Sequence, residues 1–260
     1  MILFLAGTSD ARELAITLQK KGYSLLATVV TESAANSLQE AGIKVHKGRL
    51  DSKQLAKLAT QCHAQGIVDA SHPFAEEASR NAMDAARFLE IPYLRYERPR
   101  EDGYSHPLLT KVKDYEEAAE LAAHHQGVVM LTTGSKTLEV FTKKLLGKQG
   151  LTLVARMLPR LDNMEKCQKL GVEQKNIIAM QGPFSKELNA AMYRQYGATL
   201  VISKESGKQG SVDEKIEAAV ELGIPVLLIE RPSIQYGTTY SEFNRVIEAL
   251  KKQVGKEQTL

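Results

Sequence analysis

Residues 85–99 read A-A-R-F-L-E-I-P-Y-L-R-Y-E-R-P, and residues 218–232 read A-A-V-E-L-G-I-P-V-L-L-I-E-R-P. Nine of the fifteen positions are identical, among them Ile91/Ile224, Pro92/Pro225 and the closing Glu97-Arg98-Pro99 and Glu230-Arg231-Pro232. Each copy has the form of a helix end, a turn through Ile-Pro, a buried strand and a stop at Glu-Arg-Pro. Proline holds the residue before it extended, so each Ile-Pro is a natural junction from helix to strand. A phrase of this kind at the end of each half predicts two α/β halves of parallel build. The cleft between them is then the first place to look for function.

Working outward, the first half alternates apolar runs with helical stripes. Ile2–Ala6 is a continuous apolar run; Leu14, Ala15 and Leu18 then share one helix face, which ends at Gly22. Strands are predicted at 25–30, 43–46, 67–70 and 93–96, with helices between them. Residues 99–110 break the pattern and read as a linker. The second half resumes with strands predicted at 128–131, 151–156, 177–180, 199–202 and 226–229. A tail helix carries Phe243, Val246, Ile247 and Leu250 at i, i+3, i+4, i+7. Strands separated by helices imply parallel sheets with right-handed crossovers. The expected domains are therefore 1–98 and 111–260, the latter including the tail helix.

Of the 260 residues, 43% are hydrophobic and 25% charged, as in a water-soluble globular protein. No apolar run approaches the roughly 20 residues that span a bilayer. The start, Met1-Ile2-Leu3-Phe4-Leu5, reads as a buried strand rather than a leader, which predicts a cytoplasmic protein. The net charge of +3 comes without a clustered basic tract, so nucleic acid is not favoured. Two cysteines, Cys62 and Cys167, stand outside any C-x-x-C, and the six histidines lack metal-ligand spacing. No metal site is expected.

In open parallel sheets, ligands bind outside the carboxyl ends of the strands. The loops there are polar and specific: G-T-S-D-A-R (7–12), K-G-R-L-D (47–51), D-A-S-H-P-F-A (69–75), T-T-G-S-K (132–136), R-M-L-P (156–159), Q-G-P-F-S (181–185) and S-K-E-S-G (203–207). Gly7, Thr8 and Ser9 open a helix directly after the first strand, where backbone N–H groups can receive a dinucleotide's phosphates. This is not the G-x-G-x-x-G fingerprint: Ser9 and Arg12 stand at its second and third glycines, and Arg12 could supply charge instead. Thr8 or Ser9 could equally do no more than cap the helix. Thr133, Gly134 and Ser135, with Lys136 as a point charge, hold the comparable place in the second half and form a second candidate cradle. They do not form a Walker loop. His72 stands at a strand end, either as a helix cap or as a ligand contact. Asp69, inside a strand, needs a buried partner, for which Arg49 is the candidate. Arg231 reads as a strand-end ion pair with Glu230, and Arg98 has a mixed role beside the linker.

Taken together and in order, these loops, with Y-L-R-Y-E-R-P (93–99) and G-I-P-V-L-L-I-E-R-P (223–232), resemble the precorrin-6A and cobalt-precorrin-6A reductases of cobalamin biosynthesis over nearly the whole chain. D-A-S-H-P-F-A is the most distinctive element. The resemblance implies two Rossmann-like domains sharing one site, with a strand exchanged near the linker at Tyr93–Pro99. It implies reduction of one ring C=C bond of an anionic tetrapyrrole, metal-free or cobalt-bearing, by NADPH or NADH. Gly7, Thr8, Ser9, Arg12, Arg49, Thr133, Gly134 and Ser135 would then meet the dinucleotide. Ser71, Arg98, Lys136, Arg156, Lys204 and Ser206 would meet the substrate's carboxylates. His72 is the candidate proton donor. On the loops alone two rivals stay open: an S-adenosylmethionine-dependent methyltransferase of the same pathway, and a non-catalytic two-lobed binding protein.

Overall fold

A computed structural model of the chain describes residues 1–97, 105–205 and 214–254. The chain divides into two compact units, Met1–Pro99 with Ser233–Leu260, and Arg100–Pro232. The first half runs β1 (Ile2–Ala6), α1 (Ser9–Lys20), β2 (Leu25–Val29), α2 (Glu32–Glu40), β3 (Lys44–Lys47), α3 (Ser52–Gln61), β4 (Gly66–Ala70), α4 (Glu76–Phe88) and β5 (Tyr93–Tyr96). The second begins with β6 (Leu109–Val112) and α5 (Tyr115–Ala122), then β7 (Gly127–Leu131), α6 (Leu138–Leu145), β8 (Leu151–Met157), α7 (Leu161–Lys169) and β9 (Ile177–Ala179). It continues with α8 (Lys186–Tyr196), β10 (Ala198–Lys204), α9 (Glu214–Glu221) and β11 (Val226–Ile229), and the chain closes with β12 (Thr239–Tyr240) and α10 (Phe243–Gln253).

The strands form two six-stranded sheets, ordered β12-β5-β4-β1-β2-β3 and β6-β11-β10-β7-β8-β9. The registered pairs in both are parallel. Each sheet therefore has the doubly wound order 3-2-1-4-5 with a sixth strand on the outer edge. In the second sheet that sixth strand, β6, opens the unit's own continuous stretch, whereas in the first sheet it is β12, which arrives after the whole second unit. After β5 the chain lays β6 and α5 on the second unit, and after β11 it lays β12 and α10 on the first.

The layers follow from which residues each strand turns to which side. In β1, Ile2 and Phe4 face α1, α2 and α10 through Leu14, Leu18, Leu38, Val246 and Leu250. Leu3 and Leu5 face α3 and α4 through Leu55, Ala59, Ala82 and Ala85. Alternate residues of one strand thus feed two cores, which is why parallel strands read as continuous apolar runs. In the second unit, Met130, Val154, Val201 and Val226 pack on α8 and α9 through Tyr193, Ile216 and Ala219.

Three expectations change. The tail helix belongs to the first unit, where Val246 and Leu250 are fully enclosed and Phe243 lies edge-on to Tyr96 at 5.2 Å. The linker expected to run to residue 110 ends earlier, because Leu109 and Thr110 are already in β6 beside Val226 and Leu227. The crossing is one-way, made by β12 and α10, and Tyr93–Tyr96 stays at home as β5, paired to β4 and β12. The elements that cross follow the second copy of the repeated phrase. A further helix, α7, was not expected; it shows only Asn163 and Cys167 to the interior.

Candidate functional site

At the carboxyl end of the first sheet, two loops touch. A Cβ on Gly7 would stand 3.1 Å from the backbone N of His72 and 3.5 Å from Ser71 Cα. Glycine at position 7 therefore lets the β1–α1 loop lie against the turn that follows β4. Thr8 caps α1, its hydroxyl accepting from Ala11 N at 3.2 Å, and the exposed Ser9 donates to Asp10. Arg12 is exposed and its Nε donates to the Ser37 carbonyl at 3.3 Å. Asp51 of the G-R-L-D motif is the N-cap of α3, in a reciprocal capping box with Gln54.

Beneath the turn lies a buried charge network. Asp69 and Arg95 are directly opposite in register between β4 and β5, both completely enclosed. Arg95 Nη1 sits 3.0 Å from Asp69 Oδ1 and donates to Ser71 Oγ at 3.2 Å. Tyr93 donates its hydroxyl to Asp69 Oδ2 at 2.7 Å, and Ser71 N donates to Asp69 Oδ1 at 2.9 Å. Glu97 stands 3.5 Å from Arg95 Nε, and the Tyr236 ring lies 4.7 Å over the guanidinium. Burial, then the Asp69 charge, pushes the Tyr93 phenol far above its ordinary range, so it remains a donor. Arg49 is not the partner of Asp69: it follows β3, three strands from β4, roughly 14 Å away at the usual spacing. Arg95 fills that role, and the sequence held the signal. Position 95 of the repeated phrase is Arg where the second copy has Leu228.

His72 is half-buried, and its Nδ1 accepts from Phe74 N at 3.2 Å. In that geometry the neutral ring carries its hydrogen on Nε2, and adding a proton to Nδ1 would set two N–H groups against each other.

The second unit has a different character at the same end of its sheet. Gly134 adopts φ +81 with open space where a Cβ would be, so the T-T-G-S-K turn takes a shape that L side chains resist. Thr133 is buried, and its hydroxyl has no partner among the described residues; neither have those of Thr137 and Ser203. Ser135 donates to Asn163, and Asn163 to the Leu158 carbonyl at 3.0 Å, which ties this turn to the loop after β8. Lys204 ends β10, with its pKa drawn down to about 8, first by burial and then by the neighbouring charges of Lys215 and Lys136. Three cations and three unspent hydroxyls beside an open glycine turn are the chemistry of a site for anionic oxygens.

The other expected residues fall elsewhere. Arg156 is buried in β8, with Nη1 2.6 Å from Asn189 Oδ1 and its guanidinium 4.3 Å over the Phe184 ring. Its guanidinium is engaged inside the unit rather than on an open rim. Arg231 is buried as well, but among the described residues its carboxylate neighbour is Glu205 at 3.7 Å, not Glu230. Arg98 and Ser206 lie outside the described residues.

The family model described as precorrin-6x reductase CbiJ/CobK matches residues 1–251. A cobalt-precorrin-6A reductase of Priestia megaterium is 58% identical over 253 residues, which are 97% of this chain and 99% of that one. One from Methanothermobacter thermautotrophicus is 40% identical over 240 residues, covering 90% of this chain and 77% of its own. The solved structure of a CobK precorrin-6A reductase aligns over 99% of both chains with a TM-score of 0.79 at 22% identity, a likeness of fold. With a family match over almost its whole length and relatives this similar, the chain belongs to the precorrin-6x reductase family, CbiJ/CobK.

Proposed function

We propose that the chain reduces the cobalt-bearing form of precorrin-6A, with the phosphates of NADPH held on the second unit and the tetrapyrrole met by the Ser71–His72 turn of the first. Precorrin-6A reduction in cobalamin biosynthesis follows from the family itself. The cobalt form is supported by the two relatives at 58% and 40% identity, both cobalt-precorrin-6A reductases.

The observation that carries the placement of the dinucleotide is the open turn at Gly134, with the unspent Thr133 hydroxyl below it and Lys136 and Lys204 beside it. The corresponding turn of the first unit is less suited. Gly7 is backed by the His72 amide, Thr8 is spent on Ala11 N, and Asp10 adds a negative charge to the first helical turn. In the second unit Lys136, Lys204 and Lys215 attract the phosphates, and the Thr133 and Ser203 hydroxyls orient them.

A bound reduced nicotinamide supplies a hydride to one carbon of the ring C=C bond, and the neighbouring carbon takes a proton. The protein's part is to hold the two faces in near-attack geometry. His72, at the strand end in that turn, is the candidate to meet the substrate and to pass it the proton.

Steady-state reduction of cobalt-precorrin-6A and of the metal-free ring, with NADPH and NADH in turn, tests this. The cobalt substrate with NADPH should give the highest kcat/KM, and Lys204→Met should raise KM for NADPH on the order of tenfold, one lost charge contact. A rise in KM for the tetrapyrrole alone would move the lysines to the substrate. No nicotinamide oxidation with either ring would defeat the reading.

A further inference from the structure

We infer that Asp69 and Arg95, braced by Tyr93 and Tyr236, are positioning residues for the reduction, holding the Ser71–His72 turn in the pose that meets the substrate. The inference rests on the reading that this turn contacts the tetrapyrrole.

Every interaction of the pair leads to the turn or fixes the pair beneath it. Asp69 receives the amide of Ser71, and Arg95 donates to the Ser71 hydroxyl. The Ser71 hydroxyl is in turn 3.4 Å from that of Ser79 in the first turn of α4. Tyr93 holds the second oxygen of Asp69, so the carboxylate cannot rotate away. The turn then passes to His72, whose carbonyl accepts from Ala75 N at 2.7 Å. Ser71 is thus gripped from three elements, β4, β5 and α4, while the Tyr236 ring lies over the Arg95 guanidinium.

The molecule contains its own control for a purely structural role. The second sheet has the same strand order, and its β10 and β11 pair in the register of β4 and β5. There Ser203 stands opposite Leu228, where the first unit sets Asp69 opposite Arg95. The fold closes with a neutral pair at this position. A buried ion pair is weak evidence of stabilisation, since desolvation offsets its attraction. This one also leaves Arg95 Nη2 buried with no partner among the described residues, a cost that stability alone would not retain. What the charged pair adds is direction: a forked donor and a two-oxygen acceptor fix the orientation of a turn in a way that serine and leucine cannot.

The test is the double variant Asp69→Ser/Arg95→Leu, which copies the pair of the second unit, together with Tyr93→Phe, which removes only the hydroxyl that holds Asp69, and His72→Ala. The double variant should fold, keep KM for NADPH within about twofold and lose kcat on the order of 10- to 100-fold, as misplacement of a reacting group does. Tyr93→Phe should fold with a lowered melting temperature, since it leaves one buried oxygen of Asp69 without its donor, and should lower kcat several-fold. Either folded variant with parental kcat and tetrapyrrole KM overturns the inference. If the double variant does not fold, Tyr93→Phe decides alone. If His72→Ala also leaves both constants unchanged, the reading of the turn as a substrate contact fails. If His72→Ala impairs turnover while the other two do not, that reading stands and the positioning role falls.

Discussion

Asp69 and Arg95 are each fully enclosed, so deleting one strands the charge of the other. Arg95→Leu alone should cost about 3–5 kcal/mol of unfolding free energy, the usual penalty for an uncompensated buried charge. Asp69→Ser/Arg95→Leu should recover most of it, a coupling that denaturant unfolding of the two single variants and the double one measures as a cycle. Lys204 behaves in the opposite sense, because its neighbours repel its charge. Its pKa is about 8 in the folded chain against an ordinary 10.5. Below pH 8 both folded and unfolded chains hold the proton, and the folded state bears the full cost of that charge. Between these values the unfolded chain holds more protons, so stability should rise with pH across the window. Binding of an anion needs the protonated lysine, so KM for NADPH should rise as pH passes 8. Kinetics from pH 7 to 9.5 should show that rise in the parent and a flat profile in Lys204→Met.

The elements differ in how far they could be foreseen, and the reason is burial. Strands enclosed on both faces, such as β1 and β7, are apolar runs that no solvent-facing residue interrupts. The β6 edge strand, L-T-K-V, is mostly outside, and β12 is two residues long, so neither carries a periodic signal. Helix α7 buries only Asn163 and Cys167, too narrow a stripe to stand out. The candidate site was legible as loops at strand ends, because that follows from parallel order alone. Its anchoring pair was legible only in part: Asp69 calls for a partner and Arg95 breaks the repeated phrase, but the two meet only through register. Loop contact is where one backbone atom matters most. Gly7→Ala places a Cβ 3.1 Å from the His72 amide, and a backbone neighbour yields less readily than a side chain. Stability should fall by only about 1 kcal/mol, the low end of overpacking. Turnover should fall on the order of tenfold, since the displaced turn is the one that meets the substrate. Thermal melts alongside kcat separate the two effects; equal loss in both would make Gly7 a folding residue only.

For the whole molecule, the repeated Glu-Arg-Pro phrase predicts two halves, and two sheets are there, but it marks a departure rather than an end. After the first copy the chain leaves for the second sheet, and after the second copy it returns to give the first sheet its sixth strand and a helix. Sequence neighbours usually pair in space, and that expectation kept α10 with the wrong unit. The open edge of β5 was better served by β12, and Phe243, Val246 and Leu250 fit the face beside it. Stability of the first unit should therefore respond to residues on the far side of the second in sequence, and that of the second to the β6 strand that opens it. Leu250→Ala removes a fully enclosed side chain from the first core and should cost about 2–5 kcal/mol there. Hydrogen exchange followed by mass spectrometry should show faster exchange in β1, β2 and β4, with β7, β8 and β10 unchanged. Val112→Ala, in β6 beside Ile229, should do the reverse, although residue 112 follows directly on the first half. Exchange that quickens around residue 250 in the first variant while β1 stays protected, or that spreads equally through both sheets in either, would contradict this crossed dependence. The first outcome would detach α10 from the core it covers; the second would make the two sheets one cooperative unit.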